Sequence, residues 1–149
     1  MVITTARRAF LKALDVPAVE EAIRRAERHT SGEVRVSIAG YFRGDPQRLA
    51  AGAFRRLRMD ATRDRNAVLI LIAPARRRVV VLGDEGIHAR VGDPFWQGIA
   101  ARLSESLGAG DATTALLRAI QAVGEELARQ FPSQGQSRNE LPDTIDVSR

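Results

Sequence analysis

Apolar and polar residues follow two periods along this chain, and the changes of period mark its elements. From Val16 to His29 the apolar residues Val19, Ala22, Ile23 and Ala26 share one face of a helix, and Glu20, Glu21, Arg24, Arg25 and Arg28 share the other. Pro17 suits its first turn, and Gly32 is placed to stop it. Residues before Asp15, with Phe10, Leu11 and Leu14, predict a shorter helix or arm. Glu33 to Ala39 alternates strictly, with Val34, Val36 and Ile38 inward and Glu33, Arg35 and Ser37 outward, which predicts a strand with one wet face. Asp45-Pro46 opens the next helix, with Leu49, Ala53, Phe54 and Leu57 inward.

Ala67 to Ala73 shows no alternation. A continuous, partly β-branched apolar run of that length predicts a central strand covered on both faces. Pro74-Ala75-Arg76-Arg77 turns the chain back into an antiparallel strand over Val79 to Leu82. Asp93-Pro94 and Asp111 start two further helices, one with Phe95, Ile99, Leu103 and Leu107 on a stripe, the other with Leu116, Ile120, Leu127 and Phe131. After Pro132 the chain becomes polar. The expected fold is α/β: a small mixed sheet flanked by helices on both faces, in the order α-β-α-β-β-α-α, with a domain over 1–132 and a flexible C-terminal tail over 133–149. The β-α-β part should be a right-handed parallel crossover.

Composition narrows the function classes. A chain of 149 residues, 44 % hydrophobic and 28 % charged, fits one globular domain. It has no cysteine, so disulfides, zinc–thiolate sites and a cysteine nucleophile are excluded. Lys12 is the only lysine among 23 basic residues, against a net charge of +5. An arginine bias suits phosphate contact, and it is also what a GC-rich genome produces. Acidic residues are interspersed, no basic tail appears, and one Trp, one Tyr and five Phe supply little for base stacking. The expectation is no nucleic-acid partner. The N-terminus lacks a signal-peptide pattern, and the apolar run Ala67 to Pro74 is far short of the ~20 residues that span a bilayer, so a cytoplasmic protein without a membrane span is expected.

Strand direction locates the candidate chemistry. If the first two strands are parallel and the third returns, Thr30-Ser31-Gly32-Glu33, Thr62-Arg63-Asp64-Arg65-Asn66 and Gly83-Asp84-Glu85-Gly86 share one sheet edge. Glu33, Asp64, Asp84 and Glu85 would then lie near Arg63 and Arg65, and an oxygen-rich set of that kind suits Ca²⁺ or Mg²⁺. Each has a structural alternative: Asp84 as the cap of a short turn, Glu33 paired with an arginine, Asp64 in a solvated loop. The opposite edge, with Gly40 to Asp45 and Arg76, Arg77 and Arg78, is a rival, since a phosphate could dock at the helix after Gly44. His88 is either a metal ligand or proton carrier, or a surface residue of a short helix. Phe95 and Trp96 read as core.

At these residues the chain resembles the TPM-domain family. The resemblance runs from about Ala22 to Phe131. It is carried by Ala26-Glu27, Thr30-Ser31-Gly32-Glu33-Val34-Arg35-Val36, the run from Met59 through Thr62 and Arg65 to Leu69, Leu82-Gly83-Asp84-Glu85-Gly86-Ile87-His88, and Val91-Gly92 with Phe95-Trp96. Asn139-Glu140-Leu141-Pro142-Asp143 is similar to the ending of a compact bacterial branch. The resemblance implies an α/β/α sandwich, acid phosphatase activity as described for plant members, divalent-cation binding at acidic loops as in some bacterial members, and association with LemA-type membrane proteins. This chain departs from the family in having Ala67 where many members have glycine, and in lacking the signal peptide or anchor of many bacterial members.

Two functional expectations follow. In the first, Asp84, Glu85, Asp64 and Glu33 hold a divalent cation that activates water on a phosphoryl substrate, with Asp84 and Arg65 as candidate catalytic residues and Arg65 or Arg35 pairing with phosphate oxygens. In the second, the chain is a non-enzymatic interaction module that docks on a LemA-type membrane protein or another partner through Asn139 to Asp143.

Overall fold

The computed structural model describes residues 2–133 and 141–147. Its order is α1 (Val2–Ala13), α2 (Val16–Glu27), β1 (Glu33–Ile38), α3 (Pro46–Arg56), β2 (Ala67–Ala73), β3 (Arg78–Gly83), α4 (Glu85–Val91), α5 (Asp93–Ala109) and α6 (Ala112–Gln130). The sheet runs β1-β2-β3, with β1 and β2 parallel and β2 and β3 antiparallel. The expected α/β sandwich is therefore the observed one, with two helices more than the pattern indicated. The segment before Asp15 is a full helix, and the acidic turn opens the two-turn α4.

The central strand is buried at every position from Ala67 to Ala73. Its alternate residues serve two cores. Val68, Ile70 and Ile72 join Val34, Val36 and Ile38 of β1 against Val19 and Ile23 of α2, Ile99 and Leu103 of α5 and Leu116, Ile120 and Leu127 of α6. Ala67, Leu69 and Leu71 face Ala50, Ala53 and Phe54 of α3, with Met59 and Leu141. Burying one Leu or Ile side chain is worth about 1.5–3 kcal/mol, so the two-sided run is the main source of order at the centre.

Asp45 and Asp111 cap α3 and α6 as expected, accepting from Gln47 N and Thr113 N at 3.0 Å each. Asp93 does not cap α5. Gly92 is the cap, and Asp93 is the helix's first residue. Gly32 is not a helix stop either, because α2 ends at Glu27. A Cβ on Gly32 would stand 2.7 Å from Leu127 Cδ2 and 3.1 Å from the Asn66 carbonyl, so glycine there permits close approach of α6 and β2.

The wet face expected for β1 is covered. Glu33 and Ser37 are each 1 % exposed. Residues 141–147, within the segment expected as a tail, run beside β1. Ile38 N donates to Asp146 O (2.8 Å), and Asp146 N donates to Val36 O (2.9 Å). This is a parallel pairing that places Ser37 opposite Asp146. Glu33 and Ser37 on that face bond the returning segment rather than water.

Candidate functional site

The parallel β1–β2 register sets Glu33 beside Ala67, and the antiparallel register sets Gly83 beside Val68. The three segments predicted to converge therefore share one sheet edge. Asp84 leaves β3 with its N–H on the Ala67 carbonyl (2.9 Å). Its carboxylate does two things. Oδ1 accepts from Glu85 N (2.8 Å), which caps α4. Both oxygens accept from Arg65, through Nε to Oδ2 at 2.7 Å and Nη2 to Oδ1 at 3.0 Å. This is the bidentate fork that makes arginine–carboxylate pairs strong and directional. Arg65 Nη1 also reaches Glu85 Oε1 at 3.4 Å. The Asp84 side chain is 6 % exposed and Arg65 39 %.

Arg65 holds φ = 50°, a left-handed conformation that costs about 1–2 kcal/mol for a side-chain-bearing residue. The fork on Asp84 and the donation of Gly86 N (2.8 Å) and Ile87 N (3.3 Å) to the Arg65 carbonyl fix the turn. Gly86 is required there, because a Cβ would lie 2.2 Å from the Asp64 carbonyl oxygen and 2.6 Å from that of Arg65. The Asp84 carboxylate raises the Arg65 pKa above its ordinary value, mainly through the hydrogen bond. Asp84 is thus a helix cap, as its structural alternative has it, and it also pairs with Arg65.

Beside this pair lies a second, more open group. Asp64 is exposed, and Ser31 Oγ donates to its Oδ2 at 3.4 Å. Asn66 is fully buried and donates through Nδ2 to Ser31 Oγ at 3.1 Å. Asn66 Oδ1 is buried and has no hydrogen-bond partner among the described residues. Glu85 is largely exposed, at 74 % for its side chain.

Glu33 is not gathered into this group. Its Oε1 accepts from Leu141 N at 3.2 Å on the face covered by α3 and the C-terminal segment. Among the described residues, no three acids or histidines stand close enough together to hold a metal ion. The four-carboxylate set therefore does not fit a cation as one preformed cage. Asp84 is engaged by Arg65.

At the rival edge Arg76 is bound to the loop before α3, whereas Arg77 and Arg78 are exposed. Arg76 donates to Gly44 O (2.7 Å) and Phe42 O (3.4 Å), and its guanidinium lies 4.4 Å from the centre of the Phe42 ring. His88, expected as either a ligand or a surface residue, accepts the Trp96 indole proton at Nδ1 (3.1 Å), with Nε2 3.6 Å from Asp93. Trp96 is core, as expected, and presses on Gly83, where a Cβ would meet its ring at 2.4 Å.

Sequence reasoning missed a second polar cluster. Glu27, 8 % exposed, accepts Val34 N at 2.8 Å. Burial first, then a hydrogen bond with Asp143 and the charge of Glu33, push its pKa up from 4.5 to about 10. Glu27 is therefore held as the neutral acid. Its signal was available: it continues the Val19–Ile23 row at spacing four, on the apolar face of α2. Arg56 and Asp146 form the other missed pair, with Nη2 to Oδ2 at 3.0 Å and Nη1 to Oδ1 at 3.3 Å, and Ser37 Oγ donating to the same Oδ2 at 2.8 Å. No local signal links residues so far apart in sequence.

Comparison with known proteins identifies the family. The model of the TPM domain matches residues 5–126, most of the chain. The chain belongs to the TPM-domain family. A solved TPM-like neighbour in fold is the NMR structure of BA42 protein from the psychrophilic bacterium Bizionia argentinensis, 34 % identical, with a TM-score of 0.82 over 89 % of this chain and 92 % of that one. No curated protein matches the sequence. The converging loops of this TPM domain all fall inside the matched residues, whereas the segment 141–147 lies beyond them. Among the described residues no helix is long and apolar enough to cross a membrane.

Proposed function

We propose that this TPM domain binds a divalent cation, Ca²⁺ or Mg²⁺, at the acidic edge, through Asp64 and Glu85 with the side-chain oxygen of Asn66. The observation that carries the reading is Asn66 Oδ1, a buried acceptor without a partner among the described residues, whose own amide is tied through Ser31 to Asp64. Such an acceptor costs about 1–3 kcal/mol, and a hard cation or its bound water supplies what it lacks. Asp84 and Arg65 hold the turn in place, and Asp84 becomes a ligand only by giving up the fork.

The same edge supports a phosphatase reading. A bound cation would polarise a phosphoryl oxygen and lower the pKa of a water. Arg65, exposed at 39 % on its side chain, would present its remaining donors to the other phosphoryl oxygens, and Glu85 would orient it. Turnover of a small aryl phosphate, lost in Arg65→Ala, tests that half.

The binding half is tested by thermal unfolding with and without Ca²⁺ or Mg²⁺. At about one hundred times Kd, linkage adds about 2.7 kcal/mol, a rise of several degrees in a domain of this size. The rise should vanish in Asp64→Asn, which disturbs only one long contact. An unchanged wild-type midpoint with both ions contradicts the site. One observation favours a second reading: both oxygens of Asp84 are already taken by Arg65. In that reading the edge is structural, and the chain is an interaction module for a partner such as a LemA-type membrane protein.

A further inference from the structure

The two ends of the sheet carry opposite charge. At the acidic edge, residues 60–66 and 83–86 hold four acids and two arginines. At the far end, where β1 and β2 finish, residues 39–45 and 74–78 hold Arg43, Arg76, Arg77 and Arg78 against Asp45 alone. Register makes these segments neighbours: Ala39 N donates to the Ile72 carbonyl at 2.8 Å, and Ala73 pairs with Arg78. Arg7 of α1 joins them, because a Cβ on Gly40 would stand 3.5 Å from its guanidinium carbon.

Two of these arginines are fixed without being neutralised. Arg76 donates to the Gly44 and Phe42 carbonyls, and Arg7 donates to the Val147 carbonyl at 2.7 Å. A carbonyl satisfies a donor but leaves the positive charge in place. Arg43, Arg77 and Arg78 are exposed, and among the described residues none of the five forms an ion pair. The same end carries the exposed apolar groups. Tyr41 and Val147, 45 % and 44 % exposed, are the large hydrophobic residues left open among the described residues. Single exposed apolar residues are ordinary, but these two meet at one place: Tyr41 follows Gly40, against which Arg7 lies, and Arg7 holds Val147.

We infer that this end of the sheet docks on the surface of an anionic lipid bilayer. The five guanidinium groups supply the attraction to acidic headgroups. Tyr41 and Val147 enter the interfacial layer, where an aromatic ring with a polar tip is favoured. Charge combined with exposed apolar groups favours a bilayer over a free phosphate, for which an apolar contact does nothing. It favours a bilayer over a nucleic acid too, because one tyrosine and a valine offer no row of stacking platforms. Arginines spread over three segments, two of them already fixed on carbonyls, set up a diffuse field rather than a fork around one phosphate. The acidic edge, at the opposite ends of the strands, then faces away from a surface that would repel it. The inference stands apart from the cation reading, and its test contains no divalent ion, so either can fail alone.

The full chain is mixed, in EDTA, with vesicles of phosphatidylcholine alone and with vesicles of equal parts phosphatidylcholine and phosphatidylglycerol. Binding is read by co-sedimentation at low and at physiological salt. The unmodified protein should bind only the anionic vesicles, and less tightly as salt rises. Arg43→Gln, Arg77→Gln and Arg78→Gln remove exposed side chains that bond nothing among the described residues, and should leave the melting midpoint in place. Each should weaken binding about fivefold, and the three together about a hundredfold. Tyr41→Ser changes no charge and should weaken binding severalfold at both salt concentrations. The inference is overturned by no sedimentation with anionic vesicles at low salt, by equal binding to both vesicle types, or by full binding in the triple variant. Wild-type binding by Tyr41→Ser overturns it as well, since a purely electrostatic patch would behave that way. So does displacement from vesicles by inorganic phosphate at constant ionic strength, or tight binding to a duplex oligonucleotide with none to vesicles.

Discussion

Two aspartates in this molecule are held almost identically and do different work. Asp84 and Asp146 each accept a two-point arginine fork, from Arg65 at 2.7 and 3.0 Å and from Arg56 at 3.0 and 3.3 Å. Their side chains are 6 % and 7 % exposed, and their arginines 39 % and 38 %. The difference lies in what each pair closes. Arg65 and Asp84 join two loops at the ends of adjacent strands, with a strained residue, a helix cap and a required glycine alongside. Arg56 and Asp146 join α3 to a segment 90 residues away, which is also held by Leu141 N on Glu33, Ile145 N on Glu20 and Val147 O on Arg7. Equal ion-pair geometry with unequal surroundings predicts unequal consequences: loss of the first pair disturbs the turn and the helix it starts, and loss of the second loosens the 141–147 segment locally while its other contacts remain.

The largest expected effect breaks the acidic edge without touching a charge. Gly86→Ala would drive a methyl into the Asp64 and Arg65 carbonyls, which are backbone atoms that cannot swing aside, and should cost about 3 kcal/mol in denaturant unfolding. A cost below about 0.5 kcal/mol would mean that the loop relaxes freely and the edge is not preformed. Asp84→Ala removes both cap and fork. Discounted for the half-exposed arginine, it should cost about 2 kcal/mol globally. Asp146→Ala should cost about 1 kcal/mol or less in global unfolding, yet raise amide exchange at Ile38 and at position 146 while leaving Ile70 unchanged. Equal global losses for the two aspartates would erase the distinction drawn between them.

The region around residues 141–147 should also respond to pH. Glu27 titrates near 10 in the folded protein against an ordinary 4.5, and it is faced by Asp143, Glu33 and the Val34 N–H. A pKa raised on folding means that the native state holds the proton more tightly. This contribution to stability is full below about pH 4.5 and is lost as pH rises towards 10. Denaturant unfolding across that window should show stability falling with pH, and Glu27→Gln should flatten the slope; an identical slope in the variant would assign the titration to another group. The smallest effect is expected at Glu85→Gln. With the carboxylate 74 % exposed and one contact at 3.4 Å, apo stability should change by less than about 0.5 kcal/mol, while the cation-induced rise in midpoint shrinks.

The same contrast explains what could be read from the sequence. The unbroken run Ala67 to Ala73 can only be a covered strand, and once strand directions are set, the convergence of Ser31, Asp64 and Asp84 follows from topology. The cap at Asp84 is local chemistry, visible one residue away. Its fork with Arg65 spans 19 residues and was legible only as proximity. Glu33 carried a misleading signal: alternation with apolar neighbours looks the same whether the polar side meets water or a returning backbone. The segment after Pro132 read as polar tail because its anchors, Leu141, Ile145 and Asp146, are too few to show a period, and their partners lie over 100 residues away in part. The orphaned Asn66 oxygen is a property of packing that no pattern encodes.

A backbone-amide chemical-shift titration with Ca²⁺ and Mg²⁺ tests the cation reading most directly, because it watches both regions at once. Saturable shifts are expected at Ser31, Asp64 to Asn66 and Asp84 to Gly86, absent in Asp64→Asn, with Ile38 and Asp146 unmoved. Shifts confined to the Asp146 region, or none at the acidic edge with either ion, would contradict it.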